Sequence, residues 1–526
     1  MISRRTLLKG TAAGTAMLAM PYVARAQGRG TLRFIPESDL AILDPVFSSV
    51  GVTQHHGYAV FDTLYGTDAN FQIQPQMAAG HDVSADGLTW TIKLREGLRF
   101  HDGEPVRGKD VVASVTRWSK NDAFGQTLFA VVDELSAPSD DTVVFRLKRA
   151  FPMLPNALGK PTSMVPIMPE RLAAAEASVQ VTEVVGSGPF RFLKDEWVSG
   201  SRVVYERFDG YVPRTEPGSF TAGRKEALVD RVEWSIIPDS ATAASAVMAG
   251  EVDVWHNVQP DFIPTLEAAG SLRVEAGSIS PTTFMRFNQL LAPFSDAAVR
   301  RALLPAINQQ DVMIGMRGTD PSRWSTGIGF FHPLSPMAND AGMEALNSPR
   351  DIEKARKELA ASSYDGSPVV ILDPVDQAHL HGASLVIGKM LETIGFKVDL
   401  QAMDWGTLVQ RRINKGPTSE GGWNIYVSGL NDMTAFDPIA NFALRGNGKD
   451  AYIGWPTSPR LEDLRDKWVY APDEAARKAV AREIQTVAFE DLPYIPLGSP
   501  NGYVAISNRV SEFPREFPRF YNVSVS

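Results

Sequence analysis

Short runs of alternating apolar and polar residues recur along the chain, separated by stretches with an apolar residue every three or four positions. Alternation puts one set of side chains on one face of a strand, and the longer period builds one face of a helix. Residues 31–35, 90–94, 142–147, 203–205, 232–237, 368–372 and 397–400 predict strands. Helical spacing covers 54–64, 109–120, 241–249, 297–307, 351–360, 382–394 and 474–490. Gly250 and Gly395 follow two of these helices, where a left-handed terminal residue suits glycine. Residues 100–105, with Asp102-Gly103 and Pro105, predict a turn. Strand–helix–strand order predicts α/β layers.

Length changes the picture first. Single cores stop growing near ~250–300 residues, so 526 residues imply two or more lobes. A formal net charge of −9 leaves no surplus of cations to neutralise phosphates, which argues against nucleic-acid binding. The absence of cysteine excludes disulfides, thiolate metal sites, cysteine nucleophiles and lipid attachment through cysteine.

The first residues run Met1-Ile2-Ser3-Arg4-Arg5-Thr6-Leu7-Leu8-Lys9, and a mildly apolar stretch follows to Met20. That stretch is too short to span a bilayer, which takes ~20 residues. Ala24-Arg25-Ala26 then forms a small-x-small cleavage pattern before Gln27. The order of these parts predicts a twin-arginine signal peptide over 1–26, cleaved near Ala26-Gln27. Cleavage removes Arg4, Arg5, Lys9 and Arg25 and no acidic residue, so the net charge falls from −9 to −13. The expected product is a soluble periplasmic protein whose first partner is the twin-arginine translocase.

The mature chain resembles the bacterial extracellular solute-binding proteins of family 5, which serve peptide, nickel and oligopeptide ABC importers. The residues that carry the resemblance begin with Leu43-Asp44-Pro45, Phe61-Asp62-Thr63-Leu64 and the run from Trp90 to Val106. Lys109-Asp110-Val111, Trp118 and Gly186-Ser187-Gly188-Pro189-Phe190 continue it. Phe287-Asn288, Pro293 to Asp296, Val299 to Leu303, Gly395 to Val398, Asp404-Trp405 and Asp437-Pro438 complete it. The resemblance implies an α/β fold, a periplasmic-binding-protein type II clamshell of two lobes plus an extra domain. Its discontinuous segments would be lobe I at 27–64, 186–280 and 495–526, extra domain II at 65–185, and lobe III at 281–494. Crossings near Gly186 and Ser280 would form the hinge.

Most of the signature residues are expected in caps and turns, Asp102-Gly103, Asp110 and Asp296 among them. A small-molecule ligand is expected between the lobes, where a cleft buries it from several sides. The resemblance places Ser49, Gly51 and Phe284 at it, together with Asp376 and His379 from the loop before the 382–394 helix. Trp405 would offer an aromatic face and Arg412 a cation. Ser428, Gly429, Asn431 and Asp432 close the set at the end of the 423–427 strand. Some dipeptide-binding relatives carry an arginine in the loop equivalent to 373–382, paired with the ligand carboxylate; here that loop holds Asp373, Asp376, His379 and His381 and no arginine. The expected ligand lacks a carboxylate at this loop, or is neutral or cationic.

His379-x-His381 would share a face on a strand, and adjacent His55-His56 diverge, so neither pair implies a metal. No Gly-x-Ser-x-Gly, His-Glu-x-x-His or Gly-x-x-x-x-Gly-Lys pattern occurs, so no catalytic residue and no cofactor is expected. The rival classes are an exported enzyme acting in the interlobe cleft and a ligand-sensing scaffold. The expected protein is a monomer that passes a peptide or related solute to an inner-membrane permease. Replacing Arg4 and Arg5 together by lysine should leave the precursor uncleaved in the cytoplasm, read by fractionation and intact mass.

Overall fold

The computed structural model describes residues 30–430 and 433–526. The signal peptide over 1–26, and Asn431 and Asp432, lie outside the described residues.

Two large sheets organise the chain. The first has seven strands in the order Leu272–Ala276, Tyr503–Ser507, Val254–His256, Thr31–Ile35, Arg231–Ser235, Arg202–Arg207, Phe190–Phe192. Thr31–Ile35 lies near its centre and runs parallel to both neighbours. Its alternation sends Leu32 and Phe34 into one apolar layer with Trp234 and Phe520, and Ile35 into another with Trp255 and Ala505. The second sheet has six strands: Trp324–Ser325, Tyr494–Pro500, Thr282–Phe287, Ile425–Leu430, Pro368–Pro374, Lys397–Met403. Pro368–Pro374 and Lys397–Met403 pair in parallel, joined by helix Ala378–Ile394. Gly395 ends that helix at φ 116°, a conformation that disfavours a side chain. A smaller antiparallel sheet of four strands covers Ala78–Leu147, with helix Gly108–Asn121 against it.

The expected local signals mostly hold. Asp296 and Asp404 accept the N–H groups of Ala298 and Thr407 at helix starts. Asp110 accepts from the Arg107 and Glu170 N–H groups at 2.8 Å. Gly103 adopts φ 90° in the predicted turn. The 297–307 helix is shorter than expected: an α-helix spans Ala297–Arg301 and a 3-10 turn Leu304–Ala306. Pro305 falls inside that segment, where it lacks the N–H a continuing helix needs.

One crossing contains Ser280, and Gly186 is not the other. The chain passes between the two large sheets at 277–281 and again at 500–502, and these stretches are bonded together: Gly277 N–H donates to the Gly502 carbonyl at 2.9 Å, and Ser499 Oγ to the Pro281 carbonyl at 2.8 Å. Gly186 instead abuts the Val60 backbone, where an added Cβ would sit 1.9 Å from the carbonyl oxygen. It joins the four-stranded unit to the first sheet. Tyr494–Pro500 pairs in the second sheet, so residues 495–500, expected in lobe I, belong with lobe III.

Two buried carboxylates of the signature motifs fix the helix Gly51–Val60. Before it, Asp44 receives both Arg117 Nη atoms, at 3.1 and 2.6 Å, and the Val181 N–H at 2.9 Å. After it, Asp62 takes Lys225 Nζ at 2.7 Å and Tyr211 Oη at 2.8 Å. Burial raises the Asp62 carboxyl, but Lys225 and these hydrogen bonds outweigh it and hold it below its ordinary value. That contribution to stability is present above the unfolded carboxyl pKa and is lost as pH falls through the lower folded value. The Asp62→Asn variant should therefore show a shallower acid-side slope in its stability profile along with lower stability. Asp44→Asn leaves the Arg117 charge buried without a counter-charge and should cost about 3–5 kcal/mol, read from a denaturant midpoint.

Candidate functional site between the two sheets

A cavity of about 560 Å³ lies where the two sheets and the four-stranded unit meet. Both crossings contribute to its wall through Gly277, Pro281, Pro500 and Gly502. Ser49, Gly51, Gln54 and His55 enter from the helix Gly51–Val60 and the loop before it, and Asp122 and Lys160 from the four-stranded unit. Arg317, Met433 and Phe442 enter from the second sheet's side. Tyr503 and Phe517 come from the C-terminal segment.

At one wall stand Glu37, His55 and His256. Glu37 Oε2 lies 2.7 Å from His256 Nδ1 and 3.6 Å from His55 Nδ1. The two imidazole rings meet edge to face at 5.5 Å, and His55 stacks on Phe517 at 6.0 Å. Burial drives His55 down to about 4, against the attraction of Glu37, so its ring is neutral at pH 7. Burial would raise Glu37, yet the two histidines hold it at about 2. Gly51 makes room for this carboxylate: a Cβ there would meet Glu37 Oε1 at 2.6 Å.

Elsewhere in the cavity Lys160 is neutralised by Asp122 at 2.7 Å and donates to the Thr162 carbonyl at 2.5 Å. Arg317 has no such relief. It ends the helix Gln309–Arg317, is half-buried, and its buried Nε finds no hydrogen-bond partner. Burial lowers its pKa. Among the described residues no carboxylate pairs with it. A desolvated guanidinium facing a cavity has a high demand for an anion, because its Coulomb attraction is poorly screened there.

The expected site residues separate into groups. Ser49 and Gly51 line the cavity. His379 stands close enough to Arg317 for that charge, after burial, to help push its ring down to about 4. It lies on helix Ala378–Ile394 and not on a strand, so His381 points elsewhere, to Asp373 at 2.9 Å. Asp376, Trp405 and Arg412 form a separate cluster: Asp376 accepts the Trp405 N–H at 2.8 Å, and the Arg412 guanidinium sits 5.8 Å from the Trp405 ring centre. Ser428 is buried and Gly429 exposed on strand Ile425–Leu430. Phe284, expected at the ligand, packs inside the second sheet's core against Tyr494 at 5.5 Å. Every residue of its strand is buried, so alternation gives no sign of which face meets a cleft. Sequence reasoning missed Glu37, His256 and Arg317. His256 and Glu37 are 219 positions apart and carry no local pattern.

The model for bacterial extracellular solute-binding proteins, family 5 middle region, matches residues 72–451, and that for a twin-arginine translocation signal sequence matches 1–21. The chain is 35% identical over 512 residues to the probable peptide ABC transporter periplasmic-binding protein y4tO of Sinorhizobium fredii, covering 95% of this chain and 96% of that protein. It is 26% identical to the glutathione-binding protein GsiB of Pectobacterium atrosepticum over 90% of each chain. The crystal structure of the ABC transporter substrate-binding protein CtaP from Listeria monocytogenes superposes with a TM-score of 0.77 at 22% identity, covering 94% of this chain and 99% of that one. That likeness establishes the type II clamshell fold. The chain therefore belongs to the bacterial extracellular solute-binding proteins of family 5, and it is exported to the periplasm as the substrate-binding component of an ABC importer.

Proposed function

We propose that the cavity captures a short peptide or a peptide-like solute and that Arg317 grips its carboxylate. The observation that carries this reading is the half-buried Arg317, its Nε buried and without a partner, on the wall of the chamber. The chamber's size lies within the ~300–1,000 Å³ usual for small-molecule sites. It suits a short chain, with Met433, Phe442 and Phe517 supplying apolar contact. The arginine absent from the 373–382 loop is thus replaced by one on a neighbouring helix, with His379 beside it. The 35% identity to a probable peptide-binding relative points the same way. Ser49 and Gly51 border the solute from the first lobe.

The protein acts by closure, without chemistry. Contacts from both lobes stabilise the closed state more than the open one, so the solute shifts that population and the permease meets the closed form. The working unit is a monomer of three parts: the two sheet-based lobes and the four-stranded domain.

Native mass spectrometry of the mature protein, purified without denaturation, should carry a discrete small-molecule mass released unchanged on collision; a hydrolysed product in its place would favour an enzyme. Arg317→Gln should weaken binding of a peptide with a free carboxylate by about 1.5–3 kcal/mol, roughly ten- to a hundredfold. The same peptide as its C-terminal amide should bind wild type and variant alike, and equal wild-type binding of acid and amide would remove the role of Arg317.

A further inference from the structure

We infer that Glu37, His55 and His256 form a binding site for one divalent transition-metal ion in the wall of the cavity. The carboxylate and two imidazoles come from three separated segments: the end of strand Thr31–Ile35, the helix Gly51–Val60 and the end of strand Val254–His256. Their donor atoms all lie within 4.8 Å of one another. Two imidazoles and a carboxylate are a donor set that suits zinc, nickel, cobalt or copper, with coordination positions left open.

A second observation points to an ion and not merely to an ion pair. His55 is 5% exposed, and its Nδ1 is buried without a hydrogen-bond partner while aimed at Glu37. An unbonded ring nitrogen in a buried wall is costly unless something occupies its lone pair. The adjacent His56 shows the contrast. Its Nδ1 meets Tyr205 Oη at 3.0 Å in the lobe interior, so one histidine of the pair serves packing and the other the cavity. Gly51 adds to the construction, because any side chain there would displace the Glu37 carboxylate. All three residues line the chamber.

The inference uses the chamber's geometry and does not depend on which solute is carried. The test is titration of the chelator-treated mature protein with Co²⁺ in the absence of any peptide, followed by visible absorption and calorimetry. One ion per chain is expected, with a d–d spectrum of a site of low coordination number. His256→Ala, at a half-exposed position, and Glu37→Gln should each weaken binding by more than about 100-fold, beyond the loss that follows when only a ligand's outer partner is removed, with the thermal melt of the metal-free protein kept. Arg317→Gln should leave Co²⁺ affinity unchanged. Absence of binding at millimolar Co²⁺, or equal affinity in wild type, His256→Ala and Glu37→Gln, would overturn the site and leave the peptide reading untouched.

Discussion

The buried pair between Asp44 and Arg117 is the constraint on which the cavity depends. Its guanidinium belongs to the four-stranded unit and its carboxylate to the loop that leads into the helix Gly51–Val60. With both side chains almost wholly excluded from water, neither can be given up without stranding the other. Asp62 and Lys225 hold the far end of the same helix in the same way. Pinned at both ends, the helix has one allowed rotation. That rotation turns His55 to the chamber and His56 into the lobe, and it brings Gly51 under Glu37. Gln54 continues the scaffold by donating to the Pro45 and Ser48 carbonyls at 3.2 and 3.0 Å.

The chamber separates its charges instead of mixing them. Lys160 and Asp122 cancel locally, and Glu37 is embraced by histidines, while Arg317 stands alone. A preformed, unpaired cation raises affinity for an anion because the desolvation has already been met by folding. It also gives specificity, since a solute without an anionic group leaves the guanidinium unsatisfied.

What could be read from the sequence was what local rules write. Strand alternation at Thr31–Ile35, the caps at Asp296 and Asp404 and the terminal Gly395 depend on neighbours a few residues away, and they stand as expected. The layered architecture and the export signal followed from pattern and resemblance. The site was much less legible. Ser49 and Gly51 reached the cavity, but Phe284 lies in a strand buried on both faces, where nothing in the alternation separates core from cleft. Arg317 is an ordinary last-turn arginine by sequence, and only the fold withholds its counter-ion. The trio at Glu37 assembles from the ends of two strands and one helix face, a long-range coincidence that spacing cannot encode. His379 and His381 were weighed as strand neighbours, whereas on a helix two positions apart they diverge.

The two crossings between the lobes are hydrogen-bonded to each other and also line the chamber. The fulcrum of the clamshell is therefore part of the floor on which a guest rests. A body lodged against a fulcrum works on a short lever: a small change in its thickness there becomes a large change in gape at the far rim. Elsewhere Arg149 of the four-stranded unit reaches Asp466 and the face of Tyr470. A solute seated on that floor touches the two short stretches that carry the chain between the sheets, so its contacts and the chain's own continuity share the same few residues.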